Sequence, residues 1–449
     1  MTTTRLGVSV LTHRLLHRAF PLACAVGVVV LLHSLSAQLA TAAAHSATLA
    51  VGMLLVGGFI GGKATAAVGL PRITGYLVTG VLVGPHVSGL LTHEMLAAGK
   101  AIEGLAVALI ALTAGGELRL AWVRQHARRL AIISLTGMTT VAVTIMATLL
   151  LGDGIFPFMP ADPGTAGVVA MVVATVAATG SPMVTLAVIA ETRAEGPLAR
   201  TALGVTVLMD VAIIVLFAVA LGVAKDALGQ GGDASIAATL LREVGGSIVA
   251  GVIFGVSVSL FLRFVGRDVP VFVLAACLAM WQVSTALGLE TLLVALTAGF
   301  WVENFSATRG DALIKGIERV SLPLYVLFFA AAGSEVNLGV LGALWPLALL
   351  LSFARLVAIW SGARLGTRLA RTEPQVKRYL WLGFISQAGM SLALVSIVAR
   401  TFPEWGEELQ ALIVAMIAIH ELLGPIGFTW ALTRADEAGR AASAPPPGS

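Results

Sequence analysis

The stretch ATVAATGSPMVTLAVIAETRAEGPLARTALGVTVLMD, residues Ala174–Asp210, decides how the rest of the chain is read. An apolar helix is interrupted at Thr179-Gly180-Ser181-Pro182 and resumes to Glu191. It then turns through a charged loop and re-enters as a second apolar helix. Asp210 stands midway along that second helix, with VTVLM before it and VAIIVLFAVA after it. A carboxylate flanked by apolar residues on both sides is costly in hydrocarbon and is by default a functional candidate. A Gly-Ser-Pro break in the neighbouring helix frees main-chain carbonyls and amides, which are tolerated at that depth only around a cavity or an ion site. Together these features predict a cation site between two adjacent membrane helices.

The composition agrees. The 449 residues are 58% hydrophobic and only 12% charged, and the mean hydropathy is +0.95. A soluble domain is about 25% charged, so the chain reads as an all-α polytopic membrane protein. Its net charge of +4 comes from short Arg-rich loops and reports orientation. No basic cluster is interleaved with aromatics, which argues against nucleic acid as a partner. Cys24 and Cys277 have no CxxC or Cys/His spacing, so neither a structural metal site nor a disulfide scaffold is expected. No Walker, HExxH or nucleophile-elbow motif is present, and neither an enzyme nor a cofactor is called for.

At the N-terminus, Arg5, Arg14 and Arg18 precede the apolar run Ala19–Leu32 and a small-residue stretch. Residues 1–46 read equally as a signal peptide or as an extra transmembrane helix. From there about thirteen further spans of near 20 residues follow. They lie at 47–69, 72–90, 100–118, 127–152, 165–191, 198–224, 237–263, 269–286, 289–304, 318–336, 339–364, 377–400 and 408–433. Alternate loops are rich in Arg: Arg119 to Arg129, Arg193 with Arg200, Arg263 with Arg267, Arg309 to Arg319, Arg364 to Arg378, and Arg434 with Arg440. The opposite loops carry Glu94, Asp153, Asp162, Asp226, Asp233, Glu404, Glu407 and Glu408. The Arg-rich side is therefore expected to be cytoplasmic, with the C-terminus inside. Residues 435–449, ending ASAPPPGS, read as a disordered tail.

The spans 47–224 and 269–433 form two groups of six around a linker span, 237–263, and so run in opposite orientations. In each group the fifth span is interrupted by polar residues: ATGSP in the first, Ile385-Ser386-Gln387-Ala388-Gly389 in the second. In each the sixth span carries ionisable residues near its middle, Asp210 in the first and His420-Glu421 in the second. Paired interruptions at corresponding positions point to a transport site built from inverted repeats.

The expected cation and proton site is Asp210 with Thr179 and Ser181. A deprotonated carboxylate binds a small cation and a protonated one does not, so one Asp makes the two compete. Hydroxyl oxygens and the carbonyls freed around Gly180 and Pro182 suit a hard monovalent cation. The bland alternative is a proline kink whose polar groups satisfy one another. Arg355, inside LLLSFARLVAIW, must face a cavity or a carboxylate. Asp210 and Glu421 are its expected partners, and a snorkelling or packing role is the bland reading. Ser386 and Gln387 make interhelical hydrogen bonds at least as readily as they bind ions. His420 and Glu421 read as a structural or gating pair. Glu103, Glu117, Glu290 and Glu335 lie near span ends and read as helix-terminal carboxylates, while Gly61, Gly62, Gly75, Gly80 and Gly84 read as helix-packing positions.

With these residues in view, the chain resembles the monovalent cation:proton antiporter superfamily, in its Kef-type and sodium/hydrogen exchanger branches. The resemblance rests on LPRITGYLVTGVLVGP (Leu70–Pro85), EGLAVALIALTAGGELRL from Glu103, the ATGSP break and Met209-Asp210. GLETLLVALTAGFWVEN, LPLYVLFFAAAG and SQAGMSLALV add to it, so that it covers about Ala47 to Thr433. It implies a NhaA-like fold with two interrupted crossing helices, a scaffold or dimer part at about 47–118 and 237–336, and an ion-translocating core at about 127–224 and 339–433. It further implies a homodimer in the cell membrane, an elevator-like movement, Asp210 as the carrier aspartate and Arg355 as the mid-span basic residue. The pattern departs at Gly180-Ser181-Pro182, Met209 and Met390, where family members often have further polar or acidic groups. A single carboxylate predicts electroneutral one-for-one exchange. Regulation by a nucleotide-binding domain is expected to come, if at all, from a separate subunit.

The reading is thus a secondary transporter exchanging Na+ or K+ for H+. A passive ion-efflux channel or regulatory sensor on the same fold, and an organic-anion symporter with Arg355 as the anion's partner, are the alternatives.

Overall fold

In the computed structural model the described residues are 43–98, 100–152, 154–228, 234–266, 268–306, 311–336, 338–387 and 389–440. The signal-peptide and extra-helix readings of Met1–Ser46 fall outside them, apart from Ala43–Ser46, which open the first helix.

The described chain is helical throughout. In order come α1 (Ala43–Ala67), α2 (Arg72–Val83), α3 (His93–Ala98), α4 (Lys100–Glu117), α5 (Leu120–Leu151) and α6 (Pro163–Ala177). Then follow α7 (Pro182–Thr192), α8 (Pro197–Ala227), α9 (Ala234–Phe264), α10 (Val269–Leu287), α11 (Thr291–Phe305) and α12 (Asp311–Ser334). The last are α13 (Leu338–Leu369), α14 (Pro374–Tyr379), a 3-10 turn (Leu380–Phe384), α15 (Gly389–Thr401) and α16 (Pro403–Arg434). Eight stretches among the described residues are long and apolar enough to cross a membrane, and four shorter apolar helices accompany them. Within the stretch Pro163–Thr192, residues 172–189, which contain the break, are all buried inside the protein. Broken backbone is tolerated only there, away from lipid.

Helix ends follow local chemistry. Asp162 caps α6 by accepting from the Thr165 N–H and hydroxyl, both at 2.9 Å, and Pro163 supplies the first helical residue. Those bonds hold the exposed Asp162 carboxyl below the usual carboxylate range. Glu290 caps α11 through the Leu293 N–H at 2.9 Å, a helix-terminal role as expected. Gly288 ends α10 with a left-handed φ of 63°. One helix begins earlier than its hydropathy indicates: Arg124, Arg128 and Arg129 form the opening turns of α5, not a loop. Arginine is a good helix former, so the helix runs past the edge of its apolar part.

The described residues divide into two compact units. One holds the residues up to Glu103 with Pro323–Val336; the other holds Gly104–Leu322 and the residues after Asn337. In the first, Met53, Leu54, Val83, Leu91, Leu327 and Ala330 make a common core. There α1 and α2 approach backbone to backbone, because any Cβ on Gly75 would run into the Gly61 carbonyl; Gly80 stands likewise against the Ala330 carbonyl. These glycines are packing positions, as expected. The second unit contains α5–α8 and α13–α16 and every residue of the candidate site.

The tail reading needs correction. Ala435–Arg440, expected as the start of a disordered segment, is docked on the turn between α7 and α8, with Glu437 only 1% exposed.

Candidate functional site

Two broken helices build the site. In the first, α6 ends at Ala177 and α7 starts at Pro182, which leaves Ala178–Ser181 outside regular helix. Pro182 lacks an N–H and sits at the first helical position, and Ser181 caps α7 by accepting from the Val184 N–H at 3.2 Å. In the second, the 3-10 turn stops at Phe384 and α15 begins at Gly389. The two interruptions are tied to each other, since the Thr185 hydroxyl donates to the Gly383 carbonyl at 3.2 Å. Gly424 on α16 lets the second break come close: a Cβ there would collide with the Ser386 hydroxyl.

Each break leaves carbonyls without helical partners. Arg355, on α13 and 1% exposed, takes them. Its Nε donates to the Ala177 carbonyl at 2.8 Å and its Nη2 to that of Thr179 at 2.7 Å. Its Nη1 donates to the Ile385 carbonyl at 2.7 Å, and Nη2 reaches that of Phe384 at 3.4 Å. One guanidinium therefore satisfies the ends of both broken segments. This corrects the expectation that Asp210 or Glu421 would hold Arg355, because the groups accepting its hydrogen bonds are main-chain carbonyls. Its planar fork of five donors and its fixed charge suit the negative ends of two helix fragments.

A second network crosses between the breaks. The Gln387 amide nitrogen lies 3.3 Å from both the Ala177 carbonyl and the Thr179 hydroxyl. Its oxygen meets His420 Nδ1 at 2.9 Å. The Ala177 carbonyl can only accept, which fixes the amide orientation, so His420 carries its proton on Nδ1. The Thr179 hydroxyl donates to the Val176 carbonyl at 2.9 Å and bonds the Ser391 hydroxyl, which is then the donor of that pair. His420 Nε2 and Ser352 Oγ, both buried, have no hydrogen-bond partner.

Asp210 stands apart from these bonds. It is 5% exposed, and its Oδ1 is buried with no hydrogen-bond partner. Gly180 in the first break faces Thr206 on α8: a Cβ added to it would stand 3.9 Å from the Thr206 methyl. Thr206 is one helical turn before Asp210, on the same face. Met209, beside the carboxylate, packs toward Gly137 on α5.

Of the residues expected at the site, Thr179, Gln387, His420 and Arg355 are joined by direct hydrogen bonds or by a shared carbonyl. Gly180 and Pro182 shape the break, and Ser181 uses its hydroxyl as a helix cap. Ser386 backs onto α16, and Glu421 is 6% exposed next to His420. Three residues were not singled out from sequence: Ser391, Thr185 and Ser352. Ser391 falls just past the SQAGM interruption, which is the one signal that pointed to it.

Residues 50–434 match the family model described as "Sodium/hydrogen exchanger, transmembrane". Among solved structures, that of the sodium proton antiporter MjNhaP1 from Methanocaldococcus jannaschii at pH 8 is similar to this chain, with a TM-score of 0.63 and 16% sequence identity. The match covers 88% of this chain and 99% of that one. An electron-microscopy structure of the same antiporter gives a TM-score of 0.66 at 16% identity, over 86% and 95% of the two chains. No curated protein matches this chain.

Proposed function

The chain belongs to the transmembrane sodium/hydrogen exchanger family, and on that footing we propose that Asp210 is where one monovalent cation, Na+ or K+, competes with H+. Family membership makes the chain a multi-pass membrane protein and a cation:proton antiporter. Its relatives are transporters and not enzymes.

The observation that carries the assignment to Asp210 is a buried carboxylate oxygen with no partner, one helical turn from Thr206, which faces Gly180 of the first break. A carboxylate in such a place needs either a proton or a cation. Arg355 does not compete for that oxygen, because its donors are directed at the four carbonyls. It serves as a fixed positive frame around a group whose own charge changes. The oxygens proposed to complete the cation's shell are the Thr179 hydroxyl, in exchange for one of the hydrogen bonds it now accepts, and the carbonyls near Gly180. Gln387, Ser391 and His420 hold the two breaks in register.

With Asp210 as the carboxylate that exchanges proton for cation, the exchange is proposed to be one-for-one, without net charge movement. The exchange is proposed to proceed by alternating access, as a homodimer in the cell membrane with the C-terminus cytoplasmic. The core α5–α8 with α13–α16 would move against the remainder.

The test is cation-induced collapse of a pH gradient in proteoliposomes, comparing Na+, K+ and Li+ for the native chain and Asp210→Asn. Collapse by one cation with the native chain and none with the variant is expected. Collapse that survives in Asp210→Asn removes Asp210 from the mechanism. Cation flux without proton movement would favour a passive pathway instead.

A further inference from the structure

Glu437 lies past the last membrane helix yet is 1% exposed. Its Oε1 accepts from the Leu198 N–H and its Oε2 from the Ala199 N–H, each at 2.8 Å. Those amides belong to the first turn of α8, the helix that carries Asp210. A carboxylate there satisfies two N–H groups that no helix can satisfy for itself and complements the positive end of the helix. The main chain joins in: the Glu195 N–H donates to the Glu437 carbonyl at 3.0 Å, and the Gly439 N–H to the Thr192 carbonyl at 2.9 Å. Gly196 is required by this contact, since a Cβ would collide with the Glu437 side chain. Its φ of 167° is ordinary extended backbone and gives glycine no other reason to be there.

The segment Ala435–Arg440 thereby fastens three pieces together: the end of α7, the start of α8 and the end of α16. The first begins at the Ser181 cap, the second carries Asp210, and the third carries His420 and Glu421. If α16 and the α7–α8 hairpin moved separately, the arrangement around Asp210 would come apart. We propose that Ala435–Arg440 is a latch, and Glu437 a positioning residue, that makes these helices travel as one body during exchange. The proposal rests on the exchange reading above and extends it to a part of the chain outside the ion site. The latch borders an open cavity of about 390 Å³ lined by Trp122, Arg129, Glu195, Gly196 and Arg440 among others, so water reaches its edge. Glu437 bonds α8 about twelve residues before Asp210, or roughly 18 Å along the helix, and does not touch the cation. Its loss is therefore expected to change turnover and not the apparent affinity for the cation.

The experiment uses the full chain in proteoliposomes, native and Glu437→Ala, with two readouts. Hydrogen exchange of the Leu198 and Ala199 amides is expected to accelerate about tenfold or more when two charge-assisted bonds are lost. Na+-driven pH-gradient collapse is expected to slow about fivefold to tenfold, with the half-saturating Na+ concentration within about twofold of native. Glu437→Gln, which keeps one acceptor, is expected to fall between the two. Unchanged amide protection overturns the latch. Faster amide exchange with native turnover, or slowed turnover with a large shift in half-saturation, overturns the positioning role. Should Glu437→Ala fail to fold, Gly196→Ala pushes the carboxylate from the same amides and is read the same way. A native chain that moves no protons with any cation defeats the exchange reading, and the positioning role with it, while the amide measurement still judges the latch itself.

Discussion

Arg355 is on α13 and Thr179 is in the break between α6 and α7, and a guanidinium nitrogen of the first lies 2.7 Å from the main-chain carbonyl of the second. The same side chain also holds Ala177, Phe384 and Ile385 by their carbonyls. Both interruptions thus depend on one residue.

Removing that residue should be costly. Arg355→Ala removes the donor to the buried carbonyls of Thr179, Phe384 and Ile385, while Ala177 keeps the Gln387 amide; at about 1–3 kcal/mol each, a loss of at least ~3 kcal/mol is expected. Thermal unfolding of the purified protein should show a large fall in Tm. Arg355→Lys keeps the charge but cannot reach two breaks at once, and it should recover less than half of the loss. Full recovery by Lys would mean that charge alone matters there.

Gln387 and His420 should be coupled. Gln387→Leu deprives His420 Nδ1 and the Thr179 hydroxyl of a partner, and His420→Phe deprives the amide oxygen. Each single change is expected to cost about 1–3 kcal/mol. The double variant should cost about 1 kcal/mol less than their sum, as a double-mutant cycle on unfolding would show. Strict additivity would place the Gln387–His420 bond outside the native state.

Glycines in one protein should respond in opposite ways. Gly75→Ala forces a methyl into the Gly61 backbone, and it should destabilise by about 1–3 kcal/mol or more, because neither backbone can move aside. Gly167→Ala, on α6 with nothing within 4 Å of the added carbon, should be neutral or stabilising by up to about 1 kcal/mol through helix propensity. Melting curves of the two variants compare them directly.

Asp162 provides a pH-dependent prediction. Its carboxyl is held below the ordinary range by the Thr165 N–H and hydroxyl, so the folded state favours the charged form. The stabilisation is present above the unfolded carboxylate's pKa and is lost as pH falls through the folded value. Asp162→Ala should therefore lower Tm at pH 7, and the gap to native should close as the pH is taken down through the acidic carboxylate range. A gap that stays constant with pH would mean the carboxylate's charge is irrelevant to the cap.

The break and Asp210 were legible in the sequence because both violate an apolar background: a proline, a glycine and a carboxylate stand out in hydrocarbon. Arg355 was legible as a residue but not in its partners. Backbone carbonyls are present at every position, so no pattern of letters marks the four that lose their helical bonds. Ser391 and Thr185 were missed for a related reason. Most hydroxyls in these helices simply bond the preceding turn, as Thr140 and Thr206 do, and sequence does not separate those from the ones that cross to another helix. The ends of α5 and of the tail were misplaced because hydropathy reports where lipid stops, whereas arginine turns and a buried Glu437 carry ordered structure beyond it.

The carbonyls gripped by Arg355 would be there whatever side chains stood at 177, 179, 384 and 385. A frame of that kind depends on one arginine and on the path of the chain, and hardly at all on the local alphabet. Neighbouring letters other than those that shape the breaks, such as Gly180, Pro182 and Gly424, can change without dismantling the crossing. Two chains with 16% of their residues in common can then keep the same fold.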